Sequence, residues 1–60
     1  MDIKYIRESA YLTQNQFAKE IGVHANTVAS WEKGTKKPRL SHKKALIDFC
    51  KNRNIDLGSK

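Results

Sequence analysis

The fold of this chain is decided by residues 13–34, which read TQNQFAKEIGVHANTVASWEKG. At their start, Thr13 and Gln16 match a capping box, in which two side chains accept hydrogen bonds from the free N–H groups at a helix N-terminus. Apolar residues then recur at helical spacing until Gly22, a residue type that commonly follows the last turn of a helix. This part of the stretch therefore predicts a short helix over residues 14–21.

A second helical segment follows Gly22 after a short turn. Val28 and Trp31 stand at i and i+3 and are expected to face inward, while the residues between and before them are small or polar. Gly34 ends the pattern. The segment predicts a helix over residues 25–33.

Outside these two helices, apolar residues again recur at helical rather than alternating spacing. Asp2 is a good N-cap for a helix of about residues 3–10. The inward face of this helix consists of Ile3, Ile6, Arg7 and Ala10. A basic loop follows the third helix, and Pro38 disfavours a helical conformation of the residue before it. Ser41 is then expected to cap a last helix that runs to about Arg53. The buried stripe of the last helix is Ala45, Leu46, Phe49 and Cys50.

The predicted fold is a compact all-α domain of four helices, with a fifth helix left open. Its core is expected to contain Phe17, Val28, Trp31, Leu46 and Phe49. A chain of 60 residues has room for one domain, so we expect a domain over residues 1–55 and a short tail over residues 56–60. Tyr5 and Tyr11 are expected to be partly exposed.

Two short helices joined by a turn that contains a glycine form the helix-turn-helix unit, in which the second helix lies in the major groove of DNA. Residues 13–23 and 27–34 also resemble the corresponding segments of the Cro/C1-type helix-turn-helix family, the lambda-repressor-like domains of phage repressors and bacterial XRE-type regulators. Pro38 stands where that family usually has its loop proline. The resemblance covers roughly residues 3–55 and implies a DNA-binding domain with its helix-turn-helix at the second and third helices.

The resemblance assigns base contacts to the start of the third helix. The matching positions are His24, Ala25, Asn26, Thr27 and Ser30. Asparagine can pair with adenine through two hydrogen bonds and alanine can touch a thymine methyl group, so Asn26 is the strongest prediction for direct readout. Thr27 is left open between a base and a phosphate. His24 replaces the serine or threonine usual there, and its alternatives are a pH-sensitive DNA contact or a solvated position.

Twelve lysines and arginines against six acidic residues give a net charge of +6, which predicts a polyanionic partner. The excess positive charge lies in the second half of the chain. The resemblance assigns phosphate contacts to Gln14, at the start of the second helix, and to Lys33, Lys36, Lys37, Arg39 and Lys43, in and after the loop. The alternative for the basic residues is a solvated surface, which we expect for Lys44, Lys51 and Arg53.

The resemblance also implies a structural salt bridge between Arg7 and Glu32. Arg7 lies on the otherwise apolar face of the first helix, where burying an unpaired guanidinium would be costly.

Other classes of function find little support. Cys50 is the single cysteine and the two histidines lie far apart in sequence, so we expect no disulfide and no metal site. The sequence shows no carboxylate pair, nucleophile–base set or glycine-rich phosphate loop, and we therefore expect no enzymatic activity, cofactor or small-molecule ligand. The start of the chain lacks a signal-peptide pattern and no membrane-spanning stretch occurs, which favours a soluble, cytoplasmic protein without a membrane partner.

The sequence thus predicts a transcriptional regulator, in the first place a repressor of phage, mobile-element or bacterial origin, with double-stranded DNA as its partner. The alternative is an antitoxin-like or complex-forming interaction module that retains the helix-turn-helix. Family members often dimerise through an added helix or domain, and Arg53 stands where they usually have a leucine. A homodimer that forms only on DNA is therefore the alternative to one in solution.

Overall fold

A computed structural model of the chain describes residues 2–55. These residues form four helices and no strand: α1 Ile3–Ser9, α2 Gln14–Ile21, α3 Ala25–Lys33 and α4 Leu40–Arg53. The predicted all-α, four-helix fold is confirmed. The predicted tail, residues 56–60, lies outside the described residues, as does any fifth helix built from it.

Local side-chain and backbone chemistry explains most of the helix ends. Thr13 and Gln16 form the predicted capping box, with Thr13 Oγ1 3.1 Å from the Gln16 amide nitrogen and Gln16 Oε1 3.0 Å from that of Thr13. Gly22 and Gly34 end α2 and α3 in the left-handed region, at φ values of +90° and +83°. Glycine adopts this conformation without the steric cost that a Cβ atom imposes. Asp2 caps α1, as predicted, by accepting a hydrogen bond from the Tyr5 amide.

Two predicted helix boundaries are wrong. Ala10 is the C-cap of α1 rather than its last residue, so the helix ends at Ser9. The larger error is at α4, which begins at Leu40 although Ser41 was expected to cap it. Arg39 occupies the N-cap position in an extended conformation and its carbonyl accepts a hydrogen bond from Lys43. Pro38 restricts only the residue before it, so the helix can start sooner than the preference of serine for the cap position indicated.

The core lies where the four helices meet. Its fully buried members include Ile6, Phe17, Val28 and Leu46, and Trp31 and Phe49 are 7% exposed. The Phe17 and Phe49 rings pack edge to face, with centroids 5.2 Å apart. All five residues predicted for the core are thus buried, but Ala45, predicted for the buried stripe of the last helix, is only half-buried. This packing holds α2 against both α3 and α4, and it fixes which face of α3 remains outside.

Tyr11 has an unexpected backbone conformation in the turn between α1 and α2. Its φ is +59°, in the left-handed region, and its side chain is 94% exposed. Tyr5 is also exposed, as predicted, to 46%. Between residues 2 and 55, no helix combines the length and the apolar character needed to cross a membrane.

Candidate nucleic-acid interface

Helices α2 and α3 are connected by a three-residue turn, Gly22 to His24. The Ala18 carbonyl accepts hydrogen bonds from the amides of Gly22 and Val23, at 2.8 and 2.9 Å, which close the end of α2. Ala18 is itself buried and belongs to the hydrophobic core. The α2–turn–α3 unit is therefore held by both backbone hydrogen bonds and packing.

Of the five predicted base-contact residues, Ala25 packs against the hydrophobic core, whereas the other four lie at the start and on the outer face of α3. Val28 and Trp31 point into the core, which leaves the opposite side of the helix to solvent. His24 and Asn26 are exposed, whereas Ala25, Thr27 and Ser30 are half-buried. His24 is the N-cap residue, but its side chain makes no capping hydrogen bond. Its imidazole is therefore not committed to holding the helix.

Among residues 2–55, the side-chain amide of Asn26 forms no hydrogen bond. It can therefore contact another molecule without first breaking a bond within the domain. An amide presents one acceptor and two donors, the set that asparagine uses on the edge of an adenine. Asn26 lies in the first turn of α3, the part of a recognition helix that reaches base edges. Its placement suits direct readout.

Arg7, Gln14 and Glu32 form a hydrogen-bonded cluster that joins three helices. Arg7 Nε donates to Glu32 Oε2 at 2.7 Å, and Arg7 Nη2 donates to Glu32 Oε1 at 3.3 Å. Gln14 Nε2 also donates to Glu32 Oε1, at 3.2 Å, and Arg7 Nη1 reaches the Leu12 carbonyl at 3.0 Å. The structure thus brings together the residues predicted to pair, Arg7 and Glu32, and adds the predicted phosphate ligand Gln14.

The ionisation of this cluster follows from its geometry. The hydrogen bond to Glu32 raises the pKa of the Arg7 guanidinium above its usual value, although burial acts against this. Burial would raise the pKa of the Glu32 carboxyl, but the hydrogen bonds from Arg7 and Gln14 and the nearby positive charges together hold that pKa below its usual range. Both groups therefore stay charged at neutral pH.

Gln14 both bonds to Glu32 and lies at the first position of α2, a combination that the sequence did not indicate. Its amide nitrogen carries two protons, and the bond to Glu32 uses one of them. The bond fixes the side chain at the start of α2, where backbone N–H groups are also free to meet an anion. Gln14 can therefore contact a phosphate without leaving Glu32.

The five predicted basic phosphate ligands are all exposed: Lys33, Lys36, Lys37, Arg39 and Lys43. Within residues 2–55, none of them forms an ion pair, since the ion pairs found there are Arg7 with Glu32 and Arg53 with Glu20. Lys36, Lys37 and Lys43 border one shallow depression above Ile3 and Pro38. Lys33 lies apart from it, in the last turn of α3.

A second groove connects the basic loop to the outer face of α3. It is lined by Thr27, Trp31, Lys36, Lys37, Arg39 and His42. Hydrogen bonds from the amides of Gly34 and Thr35 to the Ser30 carbonyl, at 3.0 and 3.1 Å, fix the start of the loop beside α3. Thr27, predicted to touch a base or a phosphate, therefore shares one groove with three predicted phosphate ligands.

His42 is the residue of this groove that sequence reasoning missed. It is half-buried in the first turn of α4, and its ring centroid lies 5.5 Å from that of Trp31.

Arg53 was predicted to be solvated. It is exposed but lies over the Phe49 ring at 4.7 Å and within 3.7 Å of Glu20. No local pattern marks the contact of His42 with Trp31 or that of Arg53 with Glu20, because each joins residues of different helices. The contact of Arg53 with Phe49 is an i, i+4 pair within α4, which helical spacing could have indicated.

The comparisons with known proteins agree with this arrangement. The chain is 40% identical over 50 residues to part of the type II methyltransferase M.SsoII of Shigella sonnei. This match covers 78% of the chain but spans 13% of the length of that protein. No solved structure matches the chain. The helix-turn-helix family is matched over residues 3–56, which makes the chain a member of the Cro/C1-type helix-turn-helix family, whose domains bind double-stranded DNA.

Proposed function

We propose that this domain binds double-stranded DNA sequence-specifically, with α3 in the major groove, and that it regulates transcription as a repressor. The single observation that carries the proposal is the groove that joins Thr27 of α3 to Lys36, Lys37 and Arg39 of the loop. The groove supports the proposal because a residue proposed to read bases and residues proposed to bind phosphates line the same surface. A major groove about 12 Å wide admits one α-helix, and the flanking phosphates then face the residues beside that helix.

The two kinds of contact have different roles in this proposal. His24, Asn26 and Ser30 carry no fixed charge, so they gain little from phosphates but can read the hydrogen-bond pattern of base edges. The exposed cations, none of which has an ion-pair partner among residues 2–55, can release counterions from the DNA and supply affinity on any sequence. Specificity therefore comes from α3, and most of the affinity comes from the loop.

Selection of bound duplexes from a random pool tests the proposal. We expect the wild-type domain to enrich a motif, and Asn26→Ala to lose the preference at one base-pair position at a cost of about 1–3 kcal/mol. Asn52→Ala is the matched control, because Asn52 is an exposed asparagine in the last turns of α4 and far along the chain from α3. Equal affinity of the wild type for all duplexes would reduce the domain to a non-specific binder.

A protein-interaction module is the second candidate, and one surface favours it. Leu40 and Ile47 are 83% and 39% exposed, and both border an apolar patch on α4 that the side chains of Lys43 and Lys44 flank. Such a patch is a common feature of protein-binding surfaces. A stoichiometric protein partner in a pull-down that Leu40→Ser abolishes, together with no enrichment in the DNA selection, would favour this candidate over DNA binding.

We further propose that homodimers form on DNA rather than in solution, and that the domain acts by binding, without catalysis, in the cytoplasm. The proposal for the dimer rests on Arg53, which lies over Phe49 and beside Glu20 and so presents a charged group where family members usually have a leucine. Analytical ultracentrifugation of the free domain and of its complex with a selected palindromic duplex measures the stoichiometry. A dimer in the absence of DNA would overturn the proposal.

A further inference from the structure

The groove between α3 and α4 differs from the rest of the basic surface because two aromatic rings line it, those of Trp31 and His42. Trp31 is almost completely buried. The centroid of the His42 imidazole lies 5.5 Å from that of the Trp31 ring, with an interplanar angle of 52°. His42 is half-buried and also lines the groove. The imidazole of His42 therefore packs on a buried tryptophan and borders the groove at the same time.

The charged residues that line the groove beside His42 are all positive. Lys36, Lys37 and Arg39 line the groove from the loop, Thr27 and Trp31 line it from α3 without a charge, and no carboxylate is among the lining residues. On its own helix, the neighbouring charged residue is Lys43. These cations make the groove attractive to an anion.

We propose that this groove binds one phosphate of the DNA backbone and that His42 is a ligand of that phosphate in its protonated form. The inference rests on the proposed function, which brings DNA to this surface. An imidazolium donates a charge-assisted hydrogen bond to a phosphate oxygen, and a cation over an indole ring is further stabilised within about 6 Å of the ring centroid. The distance of 5.5 Å between the His42 and Trp31 rings satisfies that limit.

Proton uptake is the consequence that separates this site from the lysine contacts. An imidazole exchanges its proton between about pH 5 and pH 8, whereas lysine and arginine stay charged throughout that range. If His42 is neutral in the free domain and protonated in the complex, each binding event takes up one proton. The affinity for DNA then falls as the pH rises, by at most roughly tenfold per pH unit.

The test measures the affinity of the full chain for short duplexes of random sequence as a function of pH, because a phosphate contact does not need a particular base sequence. We expect the wild type to lose roughly tenfold in affinity between about pH 6 and about pH 8. His42→Gln and His42→Phe should bind with little dependence on pH. Of these, His42→Phe keeps an aromatic ring against Trp31, so it controls for lost packing.

Two further variants make the result specific. His24→Gln separates the two histidines of the chain: His24 is itself a proposed DNA contact, so its loss can change the affinity, but the fall in affinity between about pH 6 and about pH 8 should remain. His42→Lys carries a permanent charge and should bind at about pH 8 nearly as well as the wild type does at about pH 6. At about pH 6, His42→Gln should also flatten the dependence of log K on log salt by about 0.9 unit.

The inference is overturned if the wild type binds duplexes with no pH dependence, or if His42→Gln retains the wild-type dependence. If the pH dependence of the affinity disappears in His24→Gln instead, the proton belongs to His24, and the proposal for His42 is overturned. Failure of the wild type to bind any duplex at any pH would contradict the proposed function itself. The two failures are therefore distinct.

Discussion

Glu32→Ala removes the carboxylate that accepts hydrogen bonds from Arg7 and Gln14 and leaves the Arg7 guanidinium in place with one remaining bond, to Leu12. Exposed ion pairs contribute about 0–1 kcal/mol, and breaking a buried one costs about 3–5 kcal/mol. The Arg7 and Glu32 side chains are 15% and 9% exposed, between these limits. We therefore expect a loss of about 2 kcal/mol in the free energy of unfolding, which lowers the Tm of so small a domain by about 10 °C.

Thermal unfolding followed by circular dichroism measures this loss. Arg7→Ala should destabilise the domain at least as much, since it also frees the Leu12 carbonyl, and the double variant should lose clearly less than the sum of the two single losses. Equal melting temperatures for the wild type and both single variants would show that the ion pair does not stabilise the domain. Strict additivity would show that the two residues do not stabilise the domain through each other.

The same pair predicts how stability depends on pH. Because the pKa of Glu32 is lower in the folded chain than in the unfolded one, its contribution is fully present above the ordinary pKa of glutamate, about 4.3, and is lost as the pH falls through the folded value. The difference in Tm between the wild type and Glu32→Ala should therefore narrow in acid. A difference that stays constant down to strong acid would contradict the assigned pKa direction.

Three further predictions concern single positions. Tyr11→Gly should raise stability by about 0.5 kcal/mol, because it relieves the left-handed strain of an almost fully exposed residue; a lower Tm would contradict this. Gly22→Ala should lower stability by about 1 kcal/mol through strain alone, since a Cβ there meets no atom within 4 Å, and an unchanged Tm would exclude that strain. Lys36→Ala should weaken binding to all duplexes and flatten the salt dependence by about 0.9 unit, whereas Lys51→Ala should not; equal slopes for both would remove Lys36 from the phosphate contacts.

The parts of the fold that depend on local chemistry could be predicted from the sequence. The capping box of Thr13 and Gln16 and the helix ends at Gly22 and Gly34 each need only a few neighbouring residues, and the structure has them where they were expected. The start of α4 could not be predicted in this way. Serine is a preferred residue type at a cap position, which pointed to Ser41. The N-cap of α4 is instead Arg39, two residues earlier.

The site shows the same division. The composition of the α3 face and the basic loop follows directly from the order of the residues. The bond between Gln14 and Glu32 and the packing of His42 on Trp31 do not, because each joins residues that only tertiary packing brings together. Tyr11 is a further case, since tyrosine is a residue type that seldom adopts a positive φ and nothing near it in sequence marks the exception.

The most direct test of the central claim, that α3 and the adjoining loop form the DNA interface, is to map backbone amide chemical shifts of the labelled domain during titration with duplex DNA. We predict that the largest changes fall on residues 24–30 and 34–43. Changes concentrated on α1 or on the C-terminal half of α4, with residues 24–30 unaffected, would contradict it.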